Sequence, residues 1–267
     1  MPAELIELYS RLPVFVLLIA RLSGLVLYQP FFAALSIPGT VRALWIVALA
    51  ALVAPLAPLA TPPDTIGGMA LAIGGEIMLG AILGSVSTAL FVALQMGGML
   101  IAQDSGLNYG QIVDPTAGED LTVLSMLYTQ LGMAVFLSVG GERIVIAAVL
   151  DSVQALPLPV SGQVAFLGAD VLLDALAAST ALALRFAAPA ILSLTLVNAL
   201  LGFLSRAMPQ LNVLTVGFAL KALLAYVLIA VALPSTISVF SAGVDELAEI
   251  THTILTSAAI VEGGEHG

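Results

Sequence analysis

The chain has no cysteine in 267 residues. That excludes a disulfide framework, a thiolate metal site and thiol catalysis. Charge is almost as scarce: Asp, Glu, Lys and Arg together make up 9% of the chain, against about 25% in ordinary soluble domains. So few ionisable groups cannot cover the surface of a soluble fold this long, which all but excludes a water-soluble monomeric enzyme. Basic residues are the scarcest, 7 against 17 acidic, for a net charge of −10. That balance argues against nucleic acid and against anionic headgroups as electrostatic partners. The only histidines are His252 and His266, both in the tail, and no His or carboxylate set has ligand spacing on a membrane helix. Nor is there a Gly-x-Ser-x-Gly elbow, a P-loop or a dinucleotide fingerprint. Asp114, Glu119 and Asp120 form an acidic cluster without a basic or metal partner, which reads as a solvated loop. The residues therefore carry no recognisable catalytic, metal or nucleotide signature.

Apolar residues are abundant, at 60%, with 24 glycines besides. Charge-free runs long enough to span a bilayer, about 20 residues, occur at 22–41, 43–63, 77–103, 121–141, 186–205 and 222–244. The expected fold class is all-α: six hydrophobic helical segments in a membrane, since lipid tolerates only helices and closed barrels and barrel-type alternation is missing. Glu4 and Glu7 have the wrong sign for a signal-peptide n-region, so the first span reads as retained, over residues 12–32. Arg11, Arg42, Arg143 and Arg206 fall on both sides of any alternating topology and give little positive-inside signal. Residues 66–103, if fully helical, would run about 57 Å at 1.5 Å per residue, past a hydrocarbon core of about 30 Å. The expectation is a break near Gly74-Gly75 or Gly97-Gly98, or a helix that projects from the bilayer.

Gly80, Gly84 and Thr88 form one row of small residues, and Ser85, Ala89, Ala93 and Gly97 another. Such rows permit close helix approach, within the chain or between subunits. Arg21, Glu76, Arg185 and Lys221 lie in or beside apolar runs, where a charge must pair, snorkel or line water. Snorkelling suits Arg21 and Arg185. Glu76 and Lys221 have apolar sequence on both sides, and a Glu76–Lys221 pair is one way to satisfy both.

Two polar islands stand out. Residues 104–120, DSGLNYGQIVDPTAGED, combine three glycines and the Asp114-Pro115 turn dipeptide with Leu107, Tyr109, Ile112 and Val113, apolar content that points to a loop folded inward. Residues 205–212, SRAMPQLN, contain Pro209, which interrupts a helix and frees carbonyls that Gln210 and Asn212 can satisfy. Residues 157–175 read as a partly amphipathic, interfacial run. Residues 242–261 read as an acidic amphipathic helix suited to a protein partner, with Val244, Leu247, Ile254, Leu255 and Ala258 at helical spacing. Residues 262–267 read as disordered. The expected organisation is a core domain over 1–240 followed by the acidic tail at 241–267.

These islands carry a resemblance. Arg21-Leu-Ser-Gly24 leading to Pro30, Ile37-Pro38 with Arg42, Gly106-Leu-Asn-Tyr109, Val113-Asp-Pro115, Ala207-Met-Pro-Gln-Leu-Asn-Val213, and Val216-Gly-Phe218 with Lys221 occur in that order. Together they resemble the FliR family of flagellar biosynthetic proteins and its SctT relatives in type III secretion injectisomes, over residues 10–235. Val216-Gly-Phe218 leans to the flagellar side. Gly140-Gly-Glu142, Leu214 and Ala219 depart from the family pattern and blur the subfamily.

The resemblance implies a non-enzymatic export-gate subunit built from bent helical hairpins. It implies assembly with FliP-type and FliQ-type proteins, an FlhB-type protein at the entrance, contact with membrane lipid, and passage of exported unfolded polypeptides. It implies a place in the bacterial inner membrane, at a flagellar basal body or injectisome base, projecting to the periplasmic face. Residues 104–119 become a pore plug that includes Gly106, Asn108, Tyr109, Gly110, Ile112, Asp114 and Pro115, with Tyr109 and Ile112 facing the lumen. Arg42, Glu76, Pro209, Gln210, Asn212 and Lys221 become structural or inter-subunit residues. The alternative from another class is a small secondary transporter, supported by Glu76, Lys221 and the broken helices but lacking an internal repeat.

Overall fold

The computed structural model describes residues 3–34, 37–58, 63, 65–107, 122–156, 158–160, 164–208 and 213–263. These form helices only: α1 (Ala3–Tyr28), α2 (Pro30–Ala34), α3 (Gly39–Val53), α4 (Ile66–Ser105), α5 (Val123–Val139), α6 (Gly141–Ala155), α7 (Val164–Ala207) and α8 (Val213–Gly263). A chain this apolar satisfies its backbone polar groups within each helix, which is the condition for entering lipid. Among the described residues, helices α1, α4, α7 and α8 are each long and apolar enough to cross a membrane, and α5 with α6, bent by 67° between them, qualify only together, as a broken span or a re-entrant pair. The protein is thus an all-α helical membrane protein, as expected.

Among the described residues, fewer helices meet this length and composition than there are apolar runs. The run at 22–41 is divided at Gln29, where α1 stops and Pro30 begins α2. The run at 43–63 gives only the 15-residue α3, about 22 Å long, because Pro55 follows closely and proline can neither donate to the preceding turn nor avoid its carbonyl. Conversely, α4 runs unbroken for 40 residues, about 60 Å, through both glycine pairs expected to break it. Helices α7 and α8 continue through Pro189 and Pro234. From Val164 the region read as interfacial is the start of α7, and the tail is the end of α8.

The chain divides into two compact units: one from 1–89, 140–176 and 244–267, the other from 90–139 and 177–243. The core of the first unit gathers Leu17, Leu18, Leu22 and Leu25 of α1, Leu79 and Leu83 of α4, Val149 and Val153 of α6, and Leu255 of α8. Here α1 and α4 touch backbone to backbone. A Cβ on Gly80 would overlap the Arg21 carbonyl oxygen, one on Gly24 the Ile77 carbonyl oxygen, and one on Gly84 would come within 2.8 Å of the Leu25 carbonyl. One turn on, the Thr88 hydroxyl donates to the Tyr28 carbonyl. The row Gly80, Gly84 and Thr88 is therefore a contact within the chain. At the end of α8, Val244, Leu247, Thr251 and Leu255 are buried while Asp245, Glu246 and Glu249 are exposed. The amphipathic pattern is present, and this apolar face packs within the first unit.

In the second unit, Phe91 meets Phe136 and Phe240 edge-on, with centroids 5.5 Å apart in both pairs. Gly98 lies against the Ser125 backbone, where an added Cβ would come within 2.8 Å, and Gly97 lies against the Ala183 carbonyl at 3.3 Å. Leu192, Leu196 and Phe203 of α7, and Leu223 and Val231 of α8, are exposed, leaving these helices with apolar outer surfaces.

Candidate functional site

Among the described residues, a constellation built on charged side chains interrupts the apolar interior of each unit. In the first unit the Arg21 guanidinium, 1% exposed, lies against the fully buried Glu76 carboxylate, with Nε donating to Oε2 at 2.6 Å. Nη1 donates to the Ser152 carbonyl at 2.9 Å and to its hydroxyl at 3.2 Å, and Nη2 donates to the Leu156 carbonyl at 3.3 Å. The Ser152 hydroxyl passes its own proton to the Val149 carbonyl at 2.7 Å. On the other side, the Val160 N–H donates to Glu76 Oε1 at 3.0 Å. A buried charge is tolerated only when paired and hydrogen-bonded. Both conditions hold, and guanidinium geometry suits such a multi-acceptor pocket.

The local fold explains the placement. Glycines 24 and 80 bring α1 and α4 into backbone contact, so side chains near the crossing are too close for a layer of solvent. The Ser152 and Leu156 carbonyls lie at the C-terminal end of α6: the first already accepts the Leu156 N–H at 3.0 Å, and the second lies just past the helix, where carbonyls lack intrahelical donors. The Arg21 guanidinium adds a second donor to the Ser152 carbonyl and supplies one to the Leu156 carbonyl, and its charge also suits that end of the helix dipole. One side chain thereby ties α1 to α4 and to the end of α6.

In the second unit, the Asn198 side-chain amide of α7 donates to Asp104 Oδ1 at 3.1 Å. The Lys221 ammonium of α8 donates to the Asp104 main-chain carbonyl at 3.4 Å. Two residues later Gly106 leaves α4 with φ 81°, its N–H donating to the Gln103 carbonyl at 3.3 Å. A left-handed residue just past the last turn is a common helix stop that glycine permits.

The residues expected from the sequence occupy different settings. Glu76 is in the first constellation, but its partner is Arg21. The proposed Glu76–Lys221 pair is therefore replaced: both Glu76 oxygens are occupied by Arg21 and Val160, and Lys221 bonds to Asp104. Arg21 is not a snorkelling end residue, because its guanidinium is buried with acceptors around it. Arg42 caps its own turn, donating from Nε to the Ile37 carbonyl at 3.1 Å. Gly106 stands at the end of α4. Asn108, Tyr109, Gly110, Ile112, Asp114, Pro115, Pro209, Gln210 and Asn212 lie outside the described residues. Sequence reasoning missed Ser152 and Asn198. Ser152 gave no signal, since one of its two contacts with Arg21 is made by its main-chain carbonyl. Asn198 gave one, being a lone amide in the apolar run Leu196-Val-Asn-Ala-Leu200, where a polar group in lipid needs a partner.

Among the described residues no three His, Asp or Glu side chains converge as a metal site would require. What the two constellations do is hold helices: each joins segments far apart in sequence through charge-assisted hydrogen bonds.

The molecule thus defines a class: a helical membrane protein whose buried Arg21 and Glu76 pair within the chain and whose 40-residue, glycine-lined α4 leads into a glycine-rich connection. The model of the family described as bacterial export proteins, family 1, matches residues 12–247, and the chain belongs to that family. It is similar to the flagellar biosynthetic protein FliR of Caulobacter vibrioides, 26% identical over 240 residues, which cover 88% of this chain and 94% of that protein. It is similar to FliR of Pectobacterium carotovorum, 32% identical over 205 residues, 74% of this chain and 76% of that protein. A secretion-system relative is the apparatus protein SsaT of Salmonella typhimurium, 26% identical over 165 residues, 61% of this chain and 62% of that protein. The resemblance read from the motifs holds.

Proposed function

We propose that the chain is a non-enzymatic subunit of the export gate of a flagellar or type III secretion apparatus, forming part of the pore through which unfolded polypeptides leave the cell. The observation that carries this reading is the family match over nearly the whole chain, with both flagellar and secretion-apparatus relatives. Its partners in this reading are FliP-type, FliQ-type and FlhB-type proteins in the bacterial inner membrane, with the complex projecting to the periplasmic face. The exposed apolar sides of α7 and α8 are available to subunits and to lipid. The expected plug at 104–119 begins after α4, which runs through Ser105; in this reading residues 106–119 are the plug, with Gly106, Asn108, Tyr109, Gly110, Ile112, Asp114 and Pro115 in it and Tyr109 and Ile112 toward the lumen. Arg42, Pro209, Gln210 and Asn212 are assigned structural or inter-subunit roles, and residues 241–267 an acidic extension of the core over 1–240. No cofactor is assigned to the chain.

Detergent extraction from the native membrane tests the assembly: the chain should co-purify with FliP-type and FliQ-type proteins. Recovery as a stable lone monomer that binds a small solute would overturn it in favour of a transporter. No observation favours that second reading, since Glu76 and Lys221, its two intramembrane charges, bond within the chain. Deleting residues 106–117 tests the plug: the assembled gate should leak small solutes, and unchanged permeability would remove the plug role.

A further inference from the structure

The last carbonyls of an α-helix have no intrahelical donor, and the end of α4 obtains one from elsewhere in the chain. Lys221, 117 residues further on, brings its ammonium to the Asp104 carbonyl. A cation at that position also opposes the negative end of the helix dipole. Asn198 holds the side chain of the same residue through Oδ1. The other carboxylate oxygen, Oδ2, is buried without a hydrogen-bond partner, so among the described residues Asn198 alone restrains the carboxylate. Two helices therefore fix main chain and side chain of one residue, and two positions later the chain leaves the helix at Gly106 with a left-handed φ. The restraint sits at the last point where α4 can set the direction of the chain beyond it.

We propose that Lys221 and Asn198 are positioning residues that fix the departure point of the glycine-rich connection. In this arrangement α8 supplies in trans the capping cation that α4 lacks, its own last turn having no basic residue. Removing the ammonium frees the Asp104 carbonyl, frays the last turn of α4 and releases the orientation of Leu107. The consequence for permeability rests on the plug reading above; the local consequence at Leu107 does not.

The chain has no cysteine, so Leu107→Cys places a single thiol just past the anchor, and its maleimide labelling rate in cells carrying the complete gate reports local order. Lys221→Met, which keeps the apolar stem, should raise that rate several-fold. Asn198→Ala should raise it less. Lys221→Arg, which keeps a cation and its donors, should leave it near the unsubstituted rate. In the same cells Lys221→Met should leak small solutes toward the level of the 106–117 deletion, with the gate still co-purifying. Labelling unchanged in Lys221→Met overturns the proposal, as does a tight Lys221→Met gate beside a leaky deletion. A tight deletion with faster labelling supports the anchor and overturns the plug. If Lys221→Met yields no gate, Asn198→Ala, which retains the Lys221 contact, decides by the same criteria.

Discussion

Replacing Arg21 by methionine removes the guanidinium and keeps much of the apolar stem. The Glu76 carboxylate, fully buried, would then retain only the Val160 N–H, and the Ser152 and Leu156 carbonyls would lose the donors that now reach them at 2.9 and 3.3 Å. Breaking a buried pair by removing one member costs about 3–5 kcal/mol, against a total stability of about 5–15 kcal/mol for a folded domain. At about 1.4 kcal/mol per tenfold, the folded-to-unfolded ratio should fall by roughly two to four decades. Trp45 is the only tryptophan. Its ring centroid lies 4.8 Å from that of Phe32, and it packs against the same core as Leu22 and Leu79. Its fluorescence during SDS titration in mild detergent therefore follows the unit that contains the pair. The midpoint for Arg21→Met should move to clearly lower SDS. Exchanging the charges, Arg21→Glu with Glu76→Arg, should not restore it. The position of residue 21 faces two carbonyls, which a carboxylate would repel, and that of residue 76 faces an N–H, which needs an acceptor. A wild-type midpoint for Arg21→Met, or recovery in the exchanged pair, would refute this reasoning.

The glycine contacts make a paired prediction in the same titration. Gly80→Ala drives a methyl into the Arg21 carbonyl and should cost at least the 1–3 kcal/mol typical of overpacking (an order-of-magnitude figure), whereas Gly74→Ala meets open space and should be neutral or stabilising by up to about 1 kcal/mol. Phe91→Ala empties the centre of the aromatic cluster of the second unit, where Phe91 is 1% exposed. It should cost about 3–5 kcal/mol, read as a lower thermal midpoint in size-exclusion recovery. Gly140 has φ 82°, so Gly140→Ala should cost about 1–2 kcal/mol, read as a matching midpoint shift.

The features legible in the sequence are the ones encoded locally. Apolar run length gave the helical class, and the four-residue spacing of Gly80, Gly84 and Thr88 gave a close helix contact. The alternation of Val244 and Leu247 with Asp245 and Glu246 gave an amphipathic face. Features that depend on long-range closure were not legible. Nothing near Arg21 indicates that its acceptors are 131 and 135 residues away, so a charge beside leucines reads as snorkelling. Helix limits failed in both directions for related reasons. The hydropathy of 43–63 continues through prolines that stop α3 at Val53. The glycines at 74–75 and 97–98 weaken propensity by about 1 kcal/mol each, yet α4 continues through both pairs, packed closely at Gly97 and Gly98. In the candidate site, Lys221 reads as a charge needing a partner, but its partner is a main-chain carbonyl at a helix end, which no residue type marks.

The Arg21 clamp also sets an order of events during biogenesis. Arg21 emerges from the ribosome long before Ser152, Leu156 and Val160, the groups that complete its pocket and that of Glu76. At about 5–20 residues per second of synthesis, the charge waits roughly 7–30 s for them. An unpaired arginine near a helix centre costs about 2.5–3.5 kcal/mol on insertion scales, which favours holding α1 at the insertion machinery or the interface until Glu76 of α4 is made, and the pocket around the pair stays incomplete for the rest of that interval. Settling of the first span is thereby tied to the arrival of α4 and then of α6, and a nascent chain truncated before residue 152 has the Glu76 partner but lacks the α6 acceptors that complete the pocket of its arginine.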